Sequence, residues 1–322
     1  MQNLARLFGL LLLLVVPACG HEDKEPLRVG TFLWPGSEPL FLARDLGVLD
    51  EDSVRLVEYS SLSEVNRAFR NGMLDAVDVT LDMALLFQQA GFESRVVLVL
   101  DSSQGADAII ARPEVRRLED LRGQRVAVED LAVSTYILSR ALEQAGLEPS
   151  EVRIVRIPVD EHVRAFTSGE VEAVVTFEPS VSKLLAEDGA HRLFDSTQLP
   201  GEILNVLLVR EEVLQERPEQ VKHLVQGWFR ALRYLEEHPD EAVARMSPRL
   251  ETSPAQLASA LKTVRQPSLE ENLSLLGPSA TALQVAHRLQ RFMLSEGLLR
   301  EPVRPEELMD DRILQEVQED RR

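Results

Sequence analysis

Nine residues at the ends of apolar runs have the chemistry to hold a small molecule. Phe32 and Trp34 close the run Leu27–Phe32, and Thr80 and Asp82 follow Leu74–Val79. Glu129 and Asp130 follow Gln124–Val128, with Ser134 and Thr135 shortly after, and Glu178 follows Glu172–Thr176. Aromatic faces attract cations, carboxylates pair with amines, and hydroxyls donate or accept hydrogen bonds. No Arg or Lys stands in the loops 32–34, 80–82, 129–131 or 177–179. A bare anion such as nitrate or sulfate finds no cationic partner there. The pattern predicts a ligand with a positive group: an amine, a zwitterion, or a pyrimidine- or thiazole-like ring stacked on Trp34.

Each candidate also has a structural role open to it. Trp34 could anchor a loop over the core. Ser134 and Thr135 could cap their helix, Asp82 could be a first-turn acid favoured by the helix dipole, and Glu178 could start a helix before Pro179. Asp101 and Asp107 read as hinge or turn residues. Catalytic signatures are lacking: the six histidines form no His-x-x-x-His pair or HExxH motif, and there is no GxGxxG, Walker or GxSxG sequence. One cysteine, Cys19, builds neither a disulfide framework nor a Cys-rich metal site. The expectation is a non-enzyme with no metal and no cofactor.

The elements that position these residues occur twice. Ala68–Phe69–Arg70–Asn71–Gly72–Met73–Leu74–Asp75–Ala76–Val77 returns 97 residues later as Ala165–Phe166–Thr167–Ser168–Gly169–Glu170–Val171–Glu172–Ala173–Val174. The same offset aligns Arg28–Val29 with Arg125–Val126, Glu64 with Glu161 and Arg67 with Arg164, with one indel near Val54 and Val152. This predicts an internal duplication of a strand–helix–strand–helix–strand unit. Alternating strands and helices imply parallel sheets with right-handed crossovers. In such sheets ligands bind at the C-terminal ends of the strands, so the duplication predicts four loops facing one cleft. They are Phe32–Trp34 with Glu129–Leu131, and Thr80–Asp82 with Phe177–Pro179.

Asp101–Ser102–Ser103–Gln104–Gly105–Ala106–Asp107 reads as a crossing between lobes, and Pro200–Gly201–Glu202 as the return. Ile203–Val209 reads as a strand of the first lobe, and the chain from Glu219 onward as helical. Within it, Val221, Leu224, Val225, Trp228, Phe229, Leu232 and Leu235 have the spacing of a buried helix face.

The N-terminus has the pattern of an export signal. Leu7–Val16 is apolar for ten residues, short of the roughly 20 that a membrane span needs, and fits a signal-peptide core. Val16–Pro17–Ala18–Cys19–Gly20 resembles a bacterial lipobox, in which the cysteine is acylated. The expected divisions are a lipoprotein signal peptide over 1–18, a polar tether over 19–26, a first lobe over 27–105, a second over 106–200, and a return to the first lobe plus C-terminal helices over 201–322. Acyl chains on Cys19 would tether the chain to a membrane, on the periplasmic side of the cell envelope. Lys plus Arg total 35 and Asp plus Glu 53 over 322 residues, a formal charge of −18. Nucleic-acid phosphates would be repelled.

Several stretches together resemble a known family. They are Trp34–Pro35–Gly36, Asn71–Gly72–Met73–Leu74–Asp75–Ala76, Asp101–Asp107, Leu118–Val128, and Gly169–Pro179. Over roughly 27–240 the chain resembles a periplasmic substrate-binding protein of an ABC importer, of the nitrate/sulfonate/taurine and thiamine-precursor, NMT1-like branch. The resemblance implies an α/β, type II periplasmic-binding-protein fold: two Rossmann-like lobes joined by two crossings, with C-terminal helices. It implies a monomeric clamp that closes on a small molecule and docks on permease subunits, with hinge closure as its motion. Two alternatives stay open: a sensory or regulatory lipoprotein acting through a membrane partner, and an enzyme on the same fold.

Overall fold

The computed structural model describes residues 25–277 and 281–320. The proposed leader, Cys19 and most of the tether lie outside them. Among the described residues no helix is long and apolar enough to cross a membrane.

The first unit runs β1 (Leu27–Phe32), α1 (Glu38–Asp45), β2 (Val54–Tyr59), α2 (Leu62–Arg70), β3 (Ala76–Thr80), α3 (Leu81–Gln89) and β4 (Ser94–Ser103). The chain then crosses into β5 (Asp107–Ala111), β6 (Arg125–Val128), α4 (Ala132–Ala145), β7 (Arg153–Arg156), α5 (His162–Thr167), β8 (Ala173–Phe177), α6 (Ser180–Leu185) and β9 (His191–Asp195). It returns through β10 (Leu204–Arg210), followed by α7 (Glu211–Glu216), α8 (Pro218–Glu237), α9 (Pro239–Met246), α10 (Pro254–Leu261), β11 (Val264–Arg265), α11 (Leu269–Leu276), α12 (Thr281–Ser295) and α13 (Arg312–Glu319).

Two sheets result, with strand orders β11-β4-β10-β3-β1-β2 and β7-β6-β8-β5-β9. Reversing the second gives β9-β5-β8-β6-β7, the order β4-β10-β3-β1-β2 of the first under the duplication. The sheets are mixed, not parallel throughout. β1, β2 and β3 pair in parallel, as do β6, β7 and β8. β10 runs antiparallel to β3 and β4, and β5 antiparallel to β8 and β9. Each sheet thus takes its antiparallel inner strand from a segment that has just crossed over.

The repeated sequence is explained by two ion-pair clamps. Arg28 Nη2 lies 2.9 Å from Asp75 Oδ1, and its backbone N–H donates to Asp75 Oδ2 at 2.8 Å. Arg125 grips Glu172 in the same way, with its backbone N–H on Oε2 at 2.9 Å and Nη2 on the Gly169 carbonyl at 3.0 Å. A second pair of arginines closes the same turns. Arg210 donates to the Leu74 and Phe69 carbonyls, and Arg112 to those of Val171 and Phe166. Their guanidinium carbons sit 4.2 Å and 5.0 Å from the Phe69 and Phe166 ring centroids, within cation–π range. Gly72 and Gly169 have φ of 72° and 80°, a left-handed conformation that a side chain disfavours.

The C-terminal third mostly covers the first sheet. α8 buries Val221, Leu224, Val225, Trp228 and Phe229 and packs against α1 and α13. Among the described residues the expected run of helices is interrupted where Val264–Arg265 pairs with Ser102–Ser103 of β4, and again by a single bridge between Met309 and Val96. A two-residue strand is too short to show a period of two in sequence.

Candidate functional site

The two lobes meet at the C-terminal ends of β1, β3 and β8. There Phe32 and Trp34 of the first lobe pack against Phe177 of the second. The Phe32–Phe177 centroids are 6.0 Å apart and the Trp34–Phe177 centroids 5.9 Å, both edge-on. Such pairs are favourable beyond their buried area. Leu62, Thr80, Asp107, Val133, Ile203 and Asn205 complete the wall, and the cavity between them is only about 10 Å³. That is scarcely room for one water. In this arrangement the side chains of the two lobes fill the space between them, and a bound small molecule would have to displace them.

Acids surround this cavity. Trp34 Nε1 donates to Asp101 Oδ2 at 2.8 Å, and Asn205 Nδ2 to Asp101 Oδ1 at 2.9 Å. Burial still pushes the Asp101 carboxyl up to about 7. Asp107 is also raised to about 7, by burial first and then by Asp101, Asp82 and Glu178. Asp82 is raised to about 6 by burial, which outweighs the Thr80 hydroxyl and the Val133 amide beside it. Glu178 is raised by burial against the pull of Ser182. A protonated amine placed here would favour the ionised carboxyls.

A wider crevice of about 390 Å³ opens at the rim, between the ends of β2, β6 and β7. Ser60, Ser61, Ser63, Glu64 and Arg67 line it from the first lobe, and Glu129, Asp130, Arg156 and Asp160 from the second. Ser63 Oγ donates to Glu129 Oε1 at 2.9 Å across the gap. Burial raises Glu129 to about 7, opposed by Ser63 and helped by Asp160 and Asp130. Arg156 Nη1 donates to the Glu129 carbonyl at 3.3 Å and lies 3.9 Å from Asp130 Oδ1. Leu62 borders the inner cavity and Ser61 and Ser63 the outer one, so the start of α2 belongs to both.

Of the sequence candidates, Phe32, Trp34 and Thr80 line the inner cavity, and Glu129 and Asp130 the rim. Asp82 and Glu178 are buried beside the inner cavity, and Glu178 accepts from the Ser182 N–H and hydroxyl at 3.0 and 2.9 Å as α6 begins. Ser134 is buried in the first turn of α4. Thr135 turns back to donate to the Leu131 carbonyl at 3.1 Å and borders a different crevice. Asp107, read as a hinge or turn residue, stands in the cavity wall. Asn205, Arg67 and Arg156 had no signal in sequence, because strand pairing and the meeting of the two lobes bring them in.

The sequence profile of the NMT1-like family matches residues 20–248. The chain belongs to the NMT1-like family. The taurine-binding periplasmic protein of Escherichia coli (strain K12) is 30% identical over 130 residues, 39% of this chain and 40% of that one. Over its first curated relatives the chain spans 64% and 40% of their lengths. The fold is similar to that of the periplasmic aliphatic sulphonate binding protein SsuA from Escherichia coli, with a TM-score of 0.75 at 19% identity over 89% of this chain and 92% of that one. It is also similar to the desulfurization enzyme DSZB, with a TM-score of 0.71 at 18% identity over 93% and 100% of the two chains. As an NMT1-like protein the chain has the periplasmic-binding-protein fold, and the same architecture serves binding proteins and an enzyme.

Proposed function

We propose that this NMT1-like protein is the extracytoplasmic solute-binding component of an ABC importer, and that it holds a small zwitterion between its lobes. The observation that carries this reading is the interlobe cavity itself, where Phe32, Trp34 and Phe177 meet beside buried Asp107. Aromatic faces and carboxylates together suit an ammonium group. At the rim, Arg67, Arg156 and three serines can donate to an anionic group, beside the carboxylates of Glu64, Glu129, Asp130 and Asp160. An amine and a sulfonate on one short chain match both regions, and the taurine-binding relative agrees with that chemistry. Lobe closure over the ligand would present one shape to permease subunits. Cys19 is proposed as the lipid attachment site, which mass spectrometry of the mature N-terminus tests.

The functional test is a thermal-shift panel of taurine, alkylamines, methanesulfonate, sulfate, nitrate and a thiamine-type pyrimidine. A ligand that binds only the folded state raises the melting temperature. Taurine is expected to give the largest shift and to be recovered unchanged. Conversion of a ligand to product would instead favour the enzyme reading, to which the DSZB-like fold also belongs. No shift from any compound would favour a partner-binding or sensory role.

A further inference from the structure

Outside the ligand cavity, one carboxylate joins three parts of the molecule. Glu202 lies in the return crossing between β9 and β10, next to Ile203 of the cavity wall, and is 9% exposed. Its Oε2 accepts from the Tyr136 hydroxyl on α4 at 2.5 Å. Its Oε1 accepts from Arg288 Nη1 on α12 at 2.6 Å. Arg140 of α4 adds its Nε at 3.8 Å from Oε2. Beside this knot the Tyr136 ring meets Phe292 of α12 edge-on, centroids 4.7 Å apart.

The attachments of these helices give the knot its leverage. α4 starts at the end of β6, in the second lobe. α12 packs on α3 of the first lobe. Tyr136, Arg140, Arg288 and Phe292 therefore tie the two lobes together through a residue of the hinge. Charge-assisted hydrogen bonds are stronger than neutral ones; here the Glu202 carboxylate is buried, while the Arg288 and Arg140 side chains are 48% and 37% exposed. Burial and Glu202 hold the Tyr136 proton well above the ordinary phenol range, so the hydroxyl remains a donor. None of these five side chains lines the ligand cavity.

We infer that Glu202, with Tyr136 and Arg288, is a latch that holds the clamp closed and sets how long a bound ligand stays. The inference rests on the reading of the interlobe cavity as the ligand site. Parting the lobes draws α4 from α12 and leaves the Glu202 carboxylate, buried here, with fewer partners, which disfavours the open form. The latch acts on closure and not on recognition. It therefore changes the dissociation rate for every ligand by the same factor.

The experiment uses the full chain with Cys19→Ser and spin labels at Met73→Cys and Leu185→Cys, one on each lobe, where the native side chains are 54% and 37% exposed. Interlobe distances are measured without ligand, and taurine dissociation by stopped flow. Tyr136→Phe removes one hydroxyl and keeps the ring on Phe292. It is expected to lengthen and broaden the ligand-free distance distribution and to speed taurine release by about five- to tenfold. Glu202→Gln is expected to do more. An unchanged ligand-free distribution in Tyr136→Phe overturns the latch, as does a shift to shorter distances. If taurine fails to bind even the parent protein, the ligand reading fails, and the ligand-free distances alone decide the latch.

Discussion

Trp34 Nε1 donates to Asp101 Oδ2 at 2.8 Å, so an aromatic wall of the cavity is fixed to the end of β4 where the chain first crosses between lobes. Gly36 makes this possible. A β-carbon added there would sit 1.9 Å from Asp101 Oδ2 and 2.2 Å from Trp34 Nε1. Gly36→Ala is therefore expected to break the bond and to cost about 1–3 kcal/mol of stability. Chemical denaturation measures the loss, and tryptophan fluorescence reports the displaced ring. A variant with wild-type stability and spectrum would show that the loop adapts.

Trp34→Ala removes a buried indole from the aromatic cluster. The expected loss of stability is about 3–5 kcal/mol, together with loss of ligand binding. The first is read by denaturation and the second by calorimetry below the melting temperature. Retained affinity in a folded Trp34→Ala protein would move the ligand away from this cavity.

The duplicated clamps are alike in pattern but unequal in burial. Asp75 is 7% exposed at its side chain and meets Arg28 and Arg217, whereas Glu172 is 24% exposed and meets Arg125. Asp75→Asn is expected to cost about 1.5–3 kcal/mol, and Glu172→Gln less than about 1 kcal/mol. Equal losses would mean that burial does not set the difference.

The sequence already contained this symmetry. The 97-residue repeat gave both strand–helix units, and alternation placed Phe32, Trp34 and Thr80 at strand ends, where the structure has them facing one cavity. Apolar runs end where backbone turns toward the cleft, so those residues are legible locally. Arg67, Arg156 and Asn205 are not, because only the meeting of the two lobes or the pairing of β10 brings them to the site. The antiparallel direction of β5 and β10 was also hidden: a buried strand reads the same in either direction. Asp107, read as a hinge or turn residue because its neighbours are small and polar, does follow the crossing, but it begins β5 against Phe177 and so stands in the cavity wall.

Stability should fall as pH rises through neutrality. Burial raises Glu38, Asp78, Asp101, Asp107 and Glu129 to about 7 and Asp82 to about 6. In the unfolded chain these groups lose their protons near pH 4. Between about pH 4 and 7 the folded protein therefore binds more protons than the unfolded chain, so raising the pH destabilises it. His162 works the other way: burial lowers it to about 4, and its contribution is lost as pH falls below 6.5. Between pH 6 and 8 the acids dominate, and the melting temperature is expected to be higher at pH 6. A higher value at pH 8 would mean that these carboxyls are ionised in the folded protein.

The most direct test of the zwitterion reading is calorimetric titration of the full chain with taurine, ethylamine and methanesulfonate in turn. The account predicts that taurine binds at least about tenfold more tightly than either half-ligand, with affinity rising from pH 6 to pH 8 as the cleft carboxyls ionise. Methanesulfonate or sulfate binding as tightly as taurine, with ethylamine inert and affinity falling over the same pH range, would contradict it.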